Sequence, residues 1–298
     1  MRRPFVCLAA TGALAACLSI SERASAPQVE IQDLNWVSDD ADKVAHLTQQ
    51  PTACLPDELS PAARRGELLF NSPFLLGGQA AKAQLSCGSC HRNGRDNPDF
   101  VFAGISGPPG TADVTHAFFG PMRADRQINP VPIPDLANAA AERRVDRDQA
   151  GVLEAFLTAQ IVEEFSGSPP EAHWVADLAA YVRAIDTRQC MDKAMEHRSW
   201  AQEWARVETG IQAAQATPEP ASRAYGQAAR AALGRLFQRY PAIEHTLLRR
   251  DLTALSLAIR DGEDWINEPE RLAAIAASLE RSSSTSLYDA STLARYLR

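Results

Sequence analysis

Cys87-Gly88-Ser89-Cys90-His91 constrains this chain more than any other stretch. Two thiols three positions apart share one helical turn, where they can meet the two vinyl groups of one porphyrin and form thioethers. The histidine beside the second thiol is then held beneath the iron as its proximal ligand. With 6 Cys and 6 His in 298 residues, chance predicts roughly 0.002 such patterns. A C-x-x-C pair also serves as a redox dithiol or as half of a zinc site. A dithiol does not need the histidine, and the sequence holds no second C-x-x-C to complete a four-cysteine ribbon. The motif therefore predicts one covalent haem c, with Cys87 and Cys90 on the porphyrin and His91 on the iron.

The N-terminus predicts export. Met1-Arg2-Arg3 precedes an apolar run from Phe5 to Ala16, a positive n-region followed by an h-region too short for a permanent membrane helix. Leu14-Ala15-Ala16-Cys17 matches a bacterial lipoprotein box, so residues 1–16 read as a signal peptide and Cys17 as the lipidated first mature residue. Cleavage after Ala24-Ser25-Ala26 is the alternative, but it would leave Pro27 directly after the cut. Leu18 follows Cys17 where an inner-membrane retention signal would place Asp, so the expected location is the periplasm, anchored to the outer membrane. Covalent haem attachment takes place after export in bacteria, so leader and motif agree.

Charge excludes some partners. The net charge is −7, and removing residues 1–16 with Arg2 and Arg3 takes it to −9. An acidic mature chain is poorly suited to nucleic acid, whereas it can dock on a redox partner that carries a basic patch. Length and an apolar content of 45% allow two domains.

Cysteine use divides the chain. Cys7 leaves with the signal, Cys17 takes lipid, and Cys87 and Cys90 take haem. Cys54 and Cys190 remain, and two leftover cysteines in an oxidising compartment predict a disulfide. They bracket a haem domain at 56–190, preceded by a tether and irregular lead-in at 17–55 and followed by an accessory domain at 191–298. Ser60 and Pro61 open a helix to Phe70, a second helix runs from Ala80 to His91, and Gly and Pro keep 92–147 loop-rich. Helices return at about 148–165 and 171–186, then at 192–214, 219–238, 242–260, 267–281 and 289–297. The fold class expected is all-α. Trp200, Trp204 and Val207 read as a packing stripe, and Glu203, Glu208, Asp261, Glu263 and Asp264 as solvated faces.

This order resembles class I cytochrome c, in which a glycine and an aromatic on the first helix pack against an aromatic on the last; Gly66, Phe70 and Tyr181 match. Within that group, 61–187 resembles one domain of the bacterial dihaem cytochrome c peroxidases. The matching stretches are Gly66-x-x-Leu69-Phe70, Leu85-Ser86-Cys87-x-x-Cys90-His91, Ile133-Pro134-Asp135-Leu136-x-Asn138, Leu153-Glu154-Ala155 and Asp177-Leu178-x-x-Tyr181. The resemblance implies a class I cytochrome c-like haem domain with long loops. Two departures separate the chain from the enzymes: it has one C-x-x-C-H where they have two, and the family's distal methionine position falls near Gln160.

The sixth iron ligand is left open between Met122, in Phe118-Phe119-Gly120-Pro121-Met122, His116, and no ligand. A thioether favours simple electron transfer, and an open or histidine-flanked site favours peroxide chemistry. Met191, Met195, His173 and His197 read as structural. The expected function is one-electron transfer by a periplasmic monohaem c-type cytochrome. A haem peroxidase-like enzyme and a haem-based sensor or assembly subunit are the alternatives.

Overall fold

The computed structural model describes residues 30–137, 145–190, 194–263 and 268–298. The expected signal peptide, Cys17, Asn138 and Met191 lie outside these residues. What is described is mostly helical: α1 Lys43–Thr48, α2 Pro61–Phe70, α3 Gly78–Lys82, α4 Cys87–Cys90, α5 Val152–Ala159, α6 Ala172–Ala184, α7 Trp200–Ala216, α8 Ser222–Arg239, α9 Ala242–Asp261, α10 Pro269–Arg281 and α11 Ala290–Tyr296. Four short strands, β1 Gln49–Pro51, β2 Thr111–Ala112, β3 Val131–Pro132 and β4 Met195–His197, form two antiparallel pairs, β1 with β4 and β2 with β3.

Local chemistry starts α2 where the sequence predicts. Ser60 caps α2 by accepting the Ala63 N–H at 3.2 Å, and Pro61 occupies the first turn, where its missing N–H costs nothing. Ser199 and Gln202 form a capping box on α7. Two expected helices differ in extent. The segment read as helix from Ala80 to His91 breaks at Gln84, whose φ of 60° cannot continue a right-handed helix. The helix expected from residue 192 begins at Trp200, because Met195–His197 pairs instead with β1, Gln50 opposite Glu196.

The core centres on the crossing of α2 and α6. Gly66 lies at the contact, where a Cβ would stand 1.9 Å from the Asp177 carbonyl oxygen, so only glycine lets the backbones approach this closely. Phe70 and Tyr181 fill the flank, edge to face with ring centroids 5.1 Å apart. Buried Asp177 accepts both arms of Arg65 at 2.7 Å and the Tyr225 hydroxyl at 2.5 Å, which ties α2, α6 and α8 together. The same apolar cluster takes in Ala213 of α7 and Tyr225 and Ala228 of α8, so the core crosses residue 190. A second cluster, with Trp204, Val207, Leu236 and Leu252, holds α7–α10 together. Cys54 and Cys190 are joined as a disulfide with Cα atoms 4.9 Å apart. Residues 30–55, expected as an irregular lead-in, carry short elements pinned to the body, with Asp33 paired to Arg198 at 2.7 Å. No helix among the described residues is long and apolar enough to cross a membrane.

Candidate functional site

α4 is a single turn that carries both motif thiols. Ser86 and Ser89 close a capping box around its start, so the turn stands without a longer helix to support it. It separates two apolar clusters. Cys87 packs against the cluster that includes Phe70 and Tyr181, and Cys90 against the one that includes Phe100 and Phe119. The second cluster carries a chain of aromatic rings, with Phe102, Phe118, Phe119 and Phe165 in successive contact at 4.9, 5.3 and 5.1 Å. Neither thiol is in a disulfide, and burial pushes Cys87 up to about 11 and Cys90 up to about 12. A redox dithiol requires the opposite, an activated low-pKa thiolate, so this environment disfavours that alternative.

His91 ends the turn and is oriented from outside it. Its Nδ1 lies 3.0 Å from the Pro134 carbonyl oxygen, which can only accept, so Nδ1 carries the proton and the lone pair belongs to Nε2. Burial lowers the ring to about 4, which keeps the imidazole neutral. The carbonyl is itself held in place. Asp135, next in sequence, accepts Arg95 at 2.8 and 2.9 Å, and Arg95 also reaches the Cys190 sulfur at 3.5 Å. The disulfide, Arg95 and the Pro134 loop thus fix one imidazole tautomer, the arrangement that proximal histidines share. Two neutral thiols and one imidazole with a free Nε2, between two apolar clusters, are a donor set that fits a porphyrin. Among the described residues, no three His, Cys, Asp or Glu side chains gather into a cage for a metal ion.

The other expected ligands are less closely engaged. Met122 is 68% exposed on its loop. His116 accepts the Phe118 N–H through Nδ1 at 3.1 Å, which leaves the proton on Nε2. A third group acts on the motif. α5 continues into a π-helical turn, Gln160–Glu164, which turns Glu164 inward until it is 7% exposed. Arg123 bonds it at 3.0 Å, Gln160 completes the cluster, and the carboxylate is close enough to raise both thiols electrostatically. Burial pushes Glu164 up to about 7, against the pull of Arg123.

Sequence reasoning missed Glu164, Arg123, Arg95 and Glu203. The last, expected on a solvated face, is 5% exposed and bonded to Arg206 at 2.7 Å and Arg235 at 2.9 Å. Helical spacing placed it one position before buried Trp204, and its arginine partners were too common in the chain to single out. Comparison with known protein families, characterised proteins and solved structures finds no match to this chain.

Proposed function

We propose that the protein is an exported monohaem c-type cytochrome that carries one electron at a time. In this reading residues 56–190 form a class I cytochrome c-like domain and Cys17 anchors the chain to the periplasmic face of the outer membrane. The observation that carries the reading is the His91–Pro134 hydrogen bond at 3.0 Å beside two unpaired thiols. The haem, when bound, supplies a one-electron iron couple. Cys87 and Cys90 hold it covalently, His91 presents Nε2 to the iron, and the clusters around Phe70 and Phe119 keep water from its faces. Met122 is the candidate sixth ligand and His116 the alternative. The acidic surface suits a redox partner with a basic patch.

Glu164 favours a second reading, a peroxidase-like enzyme with an open distal site. A buried carboxyl poised near neutral pH, held by Arg123 beside the thiols, can take and return a proton. One optical spectrum of the matured protein, oxidised and reduced, separates the two. A low-spin ferric spectrum that loses its weak far-red band in Met122→Ala supports electron transfer. A high-spin spectrum that responds to peroxide supports the enzyme. Protein that carries no covalent haem after periplasmic maturation removes both.

A further inference from the structure

Beside α4 lies a polar cavity of about 80 Å³ between the motif, Trp36 and the C-terminal helices. Four arginines line it, Arg92, Arg198, Arg206 and Arg235, against two carboxylates, Asp33 and Glu203. Neither acid serves one arginine alone. Asp33 is shared by Arg198 at 2.7 Å and Arg239 at 3.7 Å, and Glu203 by Arg206 and Arg235. The acids behind this layer are already bonded, one of them to a lining arginine. Glu67 takes Arg206 at 2.7 Å, Asp99 takes His46 at 2.8 Å, and Glu196 takes the amides of Gln50 and Asn93.

Two guanidiniums are left with N–H groups that lack an acceptor. Arg235 gives Nε to Glu203 and Nη1 to the Asn71 carbonyl, both at 2.9 Å, and its buried Nη2 has no partner. Arg92 gives Nη2 to the carbonyls of His46 and Gln49 at 2.8 and 2.7 Å. Its Nη1 faces His46 Nδ1 at 3.2 Å, but that nitrogen is already 2.8 Å from Asp99. A ring nitrogen that donates to Asp99 cannot also accept from Arg92, so Nη1 meets no acceptor. Leaving buried donors unmatched is costly, and more so for charged groups.

We propose that this cavity is a binding site for a small oxyanion of phosphate's size and charge, held between Arg92 and Arg235. The space suits one tetrahedral anion or several waters, and guanidinium forks match oxyanion geometry as ammonium groups do not. Arg92 directly follows His91, and Arg235 belongs to α8, so the anion ties the motif to the C-terminal helices. The site uses neither thiol nor imidazole, and its test is independent of the haem reading.

The test is calorimetric titration of inorganic phosphate into the full-length protein in buffer free of other oxyanions. Wild type should bind saturably at one site, and Arg92→Gln and Arg235→Lys should each weaken binding at least tenfold. Arg250→Gln, on the exposed face of α9, should bind as wild type does. Hydrogen exchange of the wild type with and without phosphate should slow around residues 86–93 and 235, which locates the site even if a variant fails to fold. No saturable heat would mean that the cavity holds only water and would overturn the proposal. So would folded Arg92 and Arg235 variants of unchanged affinity, or protection confined to other regions.

Discussion

Gly66→Ala tests the crossing of α2 and α6 on which the core beside the Cys87–His91 motif rests. The new Cβ would lie 1.9 Å from the Asp177 carbonyl oxygen, 2.6 Å from its carbon and 2.8 Å from Tyr181 Cβ. Carbon and oxygen rarely approach closer than about 3.3 Å, so α2 and α6 must part by roughly 1.4 Å. The obstacle is backbone, and no rotamer change relieves it. Overpacking of this kind costs about 3 kcal/mol, and the displaced Phe70–Tyr181 contact adds about 1 kcal/mol. Alanine returns about 1 kcal/mol of helix propensity. The expected net loss is about 3 kcal/mol, read as a lower urea midpoint at an unchanged slope. A variant as stable as wild type, or more so, would show that propensity outweighs the crossing and that the helices are free to separate. Because Phe70 also sits 6.4 Å from the His91 ring, the same variant should disturb the environment of the imidazole.

Cys87→Ser with Cys90→Ser should leave no haem stain after denaturing electrophoresis, and retained stain would refute covalent attachment through this motif. The pKa of Glu164 rises from 4.5 to about 7 on folding, so the unfolded chain ionises first as pH increases. Stability should therefore fall from about pH 4.5 to 7, by about 3 kcal/mol. Glu164→Gln should remove that slope, and parallel pH–stability curves for the two proteins would contradict it. Glu203 is held at about 2 by Arg235 and Arg206, the opposite case. Its contribution should be present above pH 4.5 and lost as pH falls toward 2, so Glu203→Gln should flatten acid unfolding measured by circular dichroism. Replacing Cys54 and Cys190 with alanine opens a link across 136 residues, and the chain-entropy model puts the loss at about 5 kcal/mol or less. A denaturation midpoint unmoved by reductant in wild type would speak against the bridge.

The sequence by itself determined most of the helices and the chemistry expected of one turn. Proline and serine at α2, proline after α8 and Gly262 after α9 act within a few residues, so helix ends can be read from the chain. The spacing of Cys87, Cys90 and His91 is likewise a local constraint, because thioether reach is set by one helical turn. Gly66, Phe70 and Tyr181 could be paired only through a family resemblance, and the crossing gives that pairing its physical cause. Only the tertiary structure decided which polar groups are buried. Glu203 and Glu164 lie in ordinary-looking helical stretches, and Arg92, Arg95, Arg123 and Arg235 are six among the many charged residues of the chain once those two acids are counted. Arg95, Arg123 and Arg235 each bond a carboxylate 32 to 41 residues away. The loop carrying Pro134 likewise acquires its role from Arg95, 40 residues earlier. Burial and pairing at such separations depend on how helices and loops close over one another, which no local pattern encodes.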